Sequence, residues 1–238
     1  MFAVKRPVTY SEVGCNFTTD MAQIIDYLQD ISCMHSNGIG IGAEALYERG
    51  LAWILNSWQV VVDRYPEYTE EITVKTWPYD FKASMGLRNC AIEDAKGQTI
   101  VRANATWVLF DFINKRPIRI DQEQIAAYQI EPKLDMPYSG RKIKTKGDFE
   151  PVDRVKVMRA WLDSNSHVNN ARYIELAMEY LPDDFKISQM RAEYREMAVY
   201  GDKICVEKQE EEDKITIILK SEADSVYVIT EFTKQQDA

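Results

Sequence analysis

Asp163-Ser-Asn-Ser-His-Val-Asn-Asn170 leads directly into Ala171-Arg-Tyr-Ile-Glu-Leu-Ala-Met-Glu-Tyr-Leu181, and there a pattern that the chain has already run once starts again. Over 171–181, Tyr173, Leu176, Ala177 and Tyr180 fall on one face of a helix. Strand-like stretches follow at 188–199, 203–208, 214–221 and 225–233, with Glu210-Glu-Glu-Asp213 as an exposed hairpin tip. Upstream, residues 20–33 carry Met21, Ile24, Ile25, Leu28 and Ile31 at helical spacing, and Asp20 and Gln23 stand where a capping box would place them. Strands are then expected over Trp58–Val62, Ile72–Trp77, Leu87–Ile92 and Thr99–Phe112, with Asp94-Ala-Lys-Gly-Gln98 turning between the last two.

A helix followed by antiparallel strands, twice over, suggests an internal duplication. Tyr68-Thr-Glu-Glu-Ile72 and Tyr200-Gly-Asp-Lys-Ile204 agree with it, each standing after one strand and before the next. Each half is expected to be an antiparallel sheet wrapped around one helix, an α+β layout. The halves are placed at 1–131 and 152–238. Pro132, Pro137, Gly140, Gly147 and Pro151 mark 132–151 as the linker between them.

Composition narrows the function classes. A hydrophobic fraction of 45% and a charged fraction of 28% are ordinary for a folded protein. No apolar run is long enough for a membrane span. Met-Phe-Ala-Val-Lys-Arg-Pro lacks the apolar segment of a secretory signal and the Ser- and Arg-rich character of an organelle leader, so a cytoplasmic address is expected. Cys15, Cys33, Cys90 and Cys205 show no metal or redox spacing and are expected reduced and mostly buried. With only two histidines, no metal site is expected, nor any cofactor. The net charge of −9 disfavours nucleic acid and anionic membrane as partners.

His167 stands out because histidine is the side chain that titrates nearest neutral pH. A lone histidine is more often a packing or surface residue. Here Asp163, Asn165, Asn169 and Asn170 crowd around it immediately before an amphipathic helix. The free N–H groups of a helix's first turn and its dipole favour negative charge, so a carbonyl placed there would have its oxyanion stabilised as water attacks. Asn169 or Asn170 is equally expected to be the N-cap, and the two roles are compatible.

Asp163-x-Asn165-x-His167-Val-Asn-Asn-x-x-Tyr173 resembles the signature of the acyl-acyl carrier protein (acyl-ACP) thioesterases of plant plastids and bacteria. Gly50-Leu-Ala-Trp53, Asp63-Arg-Tyr-Pro66, Gly86-Leu-Arg88 and Arg102-Ala-Asn-Ala-Thr-Trp-Val108 resemble the first half of that family. The resemblance runs from about the first helix to Asp202. It implies a tandem hotdog fold whose first half houses the acyl chain and whose second half hydrolyses the thioester. Carried over residue by residue, His167 would be the general base that activates water. Asn165 would orient the imidazole or the water, and Asp163 would hold the network or act as the rival nucleophile or base. Trp53 would be a candidate for the acyl tunnel.

The pattern departs from the family in one strand. Glu193-Tyr-Arg195 is present, but the family's Glu-Cys pair is replaced by Met197 and Ala198, so no thiol nucleophile is available there. Glu196 lies one residue out of register and is expected to be solvated. Water attack assisted by His167 is therefore the expected chemistry.

Residues 141–159 concentrate Arg141, Lys142, Lys144, Lys146, Arg154, Lys156 and Arg159 against only Asp148, Glu150 and Asp153. Such a run is usually a solvated linker; its functional reading is docking of the acidic acyl carrier protein. Gly38-Ile-Gly-Ile-Gly42 follows a helix rather than a strand and reads as a flexible helix exit, not a phosphate loop. His35, placed in that exit, reads as structural or exposed.

The leading expectation is an acyl-ACP hydrolase, monomeric or homodimeric. An acyl-CoA thioesterase and a non-catalytic acyl-binding hotdog protein are the alternatives. A hotdog dehydratase using Asp26 or Asp30 fits the Asn-x-His-Val-Asn-Asn pattern poorly.

Overall fold

The computed structural model describes residues 1–236, which form two units: 1–139 without 57–59, and the remainder from residue 140 together with 57–59. The first unit contains β1 (Phe2–Pro7), α1 (Met21–Gly38), α2 (Ala43–Tyr47), β2 (Leu51–Val62, apart from 57–59), β3 (Glu71–Lys82), β4 (Met85–Glu93), β5 (Thr99–Asp111), the short β6 (Arg116–Pro117) and α3 (Gln122–Ala127). Its main strands lie in the order β1-β3-β4-β5-β2. The second unit contains β7 (Glu150–Lys156), α4 (Asn170–Met178), β8 (Ile187–Tyr194), β9 (Lys203–Glu210), β10 (Lys214–Ser221) and β11 (Val226–Lys234), in the antiparallel order β8-β11-β10-β9-β7.

Side-chain period explains which face of each sheet is dry. In the second unit, Met190 and Ala192, Val228 and Phe232, Ile215 and Ile217, and Ile204 and Val206 alternate inward and are buried. Ala171, Ile174 and Ala177 of α4 are buried with them. Burying a side chain such as Phe232 is worth about 1.5–3 kcal/mol. In the first unit, Met21, Ile24, Ile25, Leu28 and Ile31 form the buried stripe of α1, as their spacing predicts. Asp20 accepts from the Gln23 N–H at 2.8 Å, the forward half of the expected capping box.

α1 runs five residues past the expected end at 33, so His35 lies inside its last turn and not in an exit loop. Cys-Met-His-Ser-Asn-Gly has no helical apolar stripe of its own; its partners come from elsewhere in the unit. His35 is buried, stacked on Phe2 with centroids 5.5 Å apart, and its Nδ1 lies 3.1 Å from Arg88 Nη1. Burial, then the Arg88 charge, then the N-terminal amine push its pKa well down, to about 4. The reading of His35 as structural holds.

Edge strands β1 and β7 escape detection in the sequence, because exposed, charged edges carry little apolar alternation. In β7 only Val155 is partly buried. Trp53 is partly buried against a small cluster of Leu46, Leu51, Leu109 and Ile120. The cysteines are all free, yet Cys15 and Cys33 are exposed and only Cys90 is buried, which corrects the expectation of mostly buried thiols. Among the described residues, no helix is long and apolar enough to cross a membrane, and no group of three or more His, Cys, Asp or Glu side chains is placed to hold a metal.

The expected linker contains an ordered strap. Arg191 Nη2 donates to Gly140 O at 2.7 Å and to Lys142 O at 3.0 Å. Ile143 N donates to the buried Glu193 carboxylate at 2.7 Å, and its side chain packs on Ile218 and Ile229. Gln209 Nε2 then donates to Lys146 O at 2.9 Å. Residues 140–146 thus cross the outer face of the second sheet from β8 to β9 before the chain enters β7.

Candidate active site

The loop before α4 is built by its own backbone. Asp163 N donates to His167 O at 2.8 Å and Ser166 N to Asp163 O at 3.1 Å. Ser166 turns the corner at φ 64°, a left-handed conformation that costs a non-glycine residue energy. Asp163 Oδ1 accepts from Asn165 N at 2.8 Å and His167 N at 3.1 Å, fixing the turn from inside. Val168 N donates to Ala198 O at 3.0 Å, and His167 is bridged to Val199. Val168 and Ala198 point inward and are buried, so His167 and Val199 share the opposite, open face.

The helix start is closed by Asn169, whose Oδ1 accepts from Ala171 N at 2.8 Å. Asn169 is therefore the N-cap and Asn170 the first helical residue. The Asn169 side-chain oxygen is spent on the cap. Tyr173, from the first turns of α4, accepts from Ala198 N at 2.8 Å and locks the 196–199 segment against the helix. Tyr227 and Val199 N both donate to Asp202 Oδ2, at 3.1 and 3.0 Å, which closes the next turn. These supports were missed in the sequence, since they are contacts between distant segments.

The first unit contains the same loop. Gly14 N donates to Thr18 O at 3.0 Å, Phe17 N to Gly14 O at 3.0 Å, and Thr19 N to Pro66 O at 2.9 Å. Phe17 takes the left-handed corner at φ 58°, Thr18 is bridged to Glu67, and Asp20 caps α1. Gly14, Asn16, Thr18 and Asp20 therefore correspond to Asp163, Asn165, His167 and Asn169. The match extends to Tyr68 and Tyr200, followed by Thr69 at φ 68° and Gly201 at φ 90°. Val8 and Val157 each bond this turn through N–H and carbonyl alike. The motif pair noted in the sequence is the visible end of this equivalence.

Of the expected site residues, Asp163, Asn165, His167, Asn169 and Asn170 are brought together by one loop and helix start. Asn165 is exposed, while Asp163 and His167 are half-buried. Among the described residues, no hydrogen bond is formed by the His167 imidazole. Met197 is 44% exposed and Glu196 exposed, and among the described residues neither forms a hydrogen bond with His167. The basic residues divide: Arg141, Lys142, Lys144 and Lys146 belong to the strap, and Arg154, Lys156 and Arg159 to β7 and the turn after it.

Known proteins fit this architecture. Residues 1–128 match the acyl-ACP thioesterase N-terminal domain and residues 145–234 the acyl-ACP thioesterase C-terminal domain. A palmitoyl-acyl carrier protein thioesterase of Arabidopsis thaliana is 28% identical over 202 residues, covering 77% of this chain and 49% of that protein. An oleoyl-acyl carrier protein thioesterase of the same plant is 26% identical, covering 73% and 52%. The chain thus spans about half the length of these relatives. An acyl-ACP thioesterase structure from Bacteroides thetaiotaomicron superposes with a TM-score of 0.90 at 21% identity, over 98% of this chain and 97% of that one. The 12:0-ACP thioesterase of Umbellularia californica gives 0.86 at 20% identity, over 99% and 97%. With both domain models matched in order and the double hotdog fold shared along nearly the whole length, the chain belongs to the acyl-ACP thioesterase family.

Proposed function

We propose that this chain hydrolyses the thioester of fatty acyl-ACP, releasing the free fatty acid and the carrier protein. The observation that carries the reading is the pair of equivalent loops. The first unit builds the turn with Gly14 and Thr18 where the second has Asp163 and His167, so neither an acid nor an imidazole is required by the backbone. Their presence in one copy only is explained by chemistry.

In this reading His167 takes a proton from water as the water oxygen adds to the thioester carbonyl. The oxyanion is met by the positive end of the α4 dipole and by Asn165. Collapse expels the pantetheine thiolate, which recovers the proton from His167. Asp163 holds the Asn165 and His167 N–H groups and so sets the direction of the imidazole; it is also the second candidate base. No thiol takes part, since Met197 and Ala198 stand at the positions where the family pattern has Glu and Cys.

Thiol release from matched acyl-ACP and acyl-CoA substrates of several chain lengths tests the proposal. Faster turnover of acyl-ACP is expected. Release from acyl-CoA alone would reassign the carrier, and no release from either would leave an acyl-binding protein.

A further inference from the structure

We propose that the carrier protein docks on an exposed ledge made by Arg154, Lys156, Met158, Arg159 and Tyr200, and that the basic strap at 141–146 takes no part. This rests on the acyl-ACP reading above. The ledge is continuous with the His167 loop through the 197–203 segment: Val199 is bridged to His167, the Arg159 guanidinium lies 4.7 Å above the Tyr200 ring, and Lys156 stands directly opposite Lys203. Met158 is 53% and Tyr200 50% exposed, next to Val199 at 42%. Apolar side chains this open beside an ordered turn, with cations around them, have the composition of a binding surface.

The first unit supplies an internal control. There Pro7 and Glu71 occupy the places of Lys156 and Lys203, and Lys5 that of Arg154. Lys5 is ion-paired to Glu71 and Arg6 to Glu12, so the first copy of this edge neutralises its own cations. In the second copy, Lys156 faces another lysine, an arrangement unfavourable to the sheet. Lys203 is relieved by Glu222 at 3.3 Å, Glu207 is taken by Lys220 at 2.7 Å, and Asp153 accepts from the Tyr180 hydroxyl at 2.8 Å. Among the described residues, no carboxylate pairs with Arg154, Lys156 or Arg159. Unneutralised positive charge kept at a cost to the edge fits an acidic partner, and the carrier protein of the proposed reaction is one.

The strap lies elsewhere. Lys146 is tied to Gln209, six residues along β9 from Lys203, or about 20 Å at the rise of an extended strand. Its backbone contacts with Arg191, Glu193 and Gln209 account for its order without a partner.

Two charge-altering sets separate the surfaces: Arg154→Glu, Lys156→Glu and Arg159→Gln together, and Lys142→Glu, Lys144→Glu and Lys146→Glu together. The single change Met158→Ser is a milder ledge variant should the first set fold poorly. kcat/KM with acyl-ACP is expected to fall roughly 10- to 100-fold in the ledge set and to change less than about twofold in the strap set, with acyl-CoA hydrolysis kept by both. Binding of carrier protein without an acyl chain, followed by fluorescence anisotropy, should weaken in the ledge variants only, and more at low salt. Equal losses in both sets, or a ledge loss that extends to acyl-CoA, would overturn the proposal. So would anionic vesicle binding or self-association that depends on the ledge while carrier binding does not. If the unaltered protein hydrolyses neither thioester, the functional reading fails, yet ledge-dependent carrier binding would still uphold the surface.

Discussion

Thr18 and His167 hold the same position in two copies of one loop: each carbonyl accepts the N–H four residues upstream, and each residue is bridged to the segment that follows a strand of its own unit. A hydroxyl in one copy and an imidazole in the other separate what the loop needs from what the second copy adds. Asn16 shows how the first copy manages without an acid, since its Oδ1 accepts from Thr18 N at 3.2 Å, where Asp163 performs that task in the second.

His167→Thr transplants the solution of the first unit into the second. Loss of a general base is expected to reduce turnover by about 10²–10⁴-fold. The melting temperature should stay within roughly 2 °C, because the backbone bonds of the loop do not involve the ring. Thiol-release kinetics with a thermal melt check both, and near-normal turnover would remove His167 from the mechanism.

In the proposed reaction Asp163 has two separable duties. Asp163→Ala strips an acceptor from two N–H groups and should destabilise the protein by about 1–2 kcal/mol in urea titrations. Asp163→Asn keeps an acceptor oxygen and should recover most of that stability without recovering turnover. If asparagine restores activity too, the carboxylate is only a turn-former.

Glu193 holds the strap from beneath, accepting from Ile143 N and from Arg195 Nε at 3.0 Å. Glu193→Ala leaves both donors without their buried acceptor and should cost about 2–3 kcal/mol. Trypsin should then cut at Arg141, Lys142, Lys144 or Lys146 sooner than in the unaltered protein. Unchanged cleavage would show that packing of Ile143 alone keeps the strap in place.

His35 predicts an acid sensitivity with a definite sign. Its folded pKa is pushed down to about 4, so the unfolded chain takes up a proton first as pH falls. The stability it contributes is complete above its ordinary value near 6.5, and it declines between there and about pH 4. His35→Gln should flatten this part of the stability profile, measured as the difference between urea midpoints of the two proteins. An identical slope in both would place the acid sensitivity on other groups.

The helix stripe at Met21, Ile24, Ile25, Leu28 and Ile31, the strand periods and the His167 cluster were legible in the sequence, because each is a repeat or a concentration within a few residues. The Tyr68 and Tyr200 segments hinted at the duplication, although only four or five positions carry it. Hidden from sequence were the edges β1 and β7, which have little apolar face to show, and the burial of His35, whose partners Phe2 and Arg88 lie on strands distant in the chain. So was the division of seven clustered cations into a strap and a ledge, since neighbours in sequence part wherever the chain crosses a sheet and turns along its edge. By itself the sequence determined the double α+β plan and the concentration of polar side chains around His167, through local composition and period. Only the tertiary structure decided that Gly14 and Thr18 mirror Asp163 and His167, because that equivalence resides in backbone hydrogen bonds, which side-chain identity does not record.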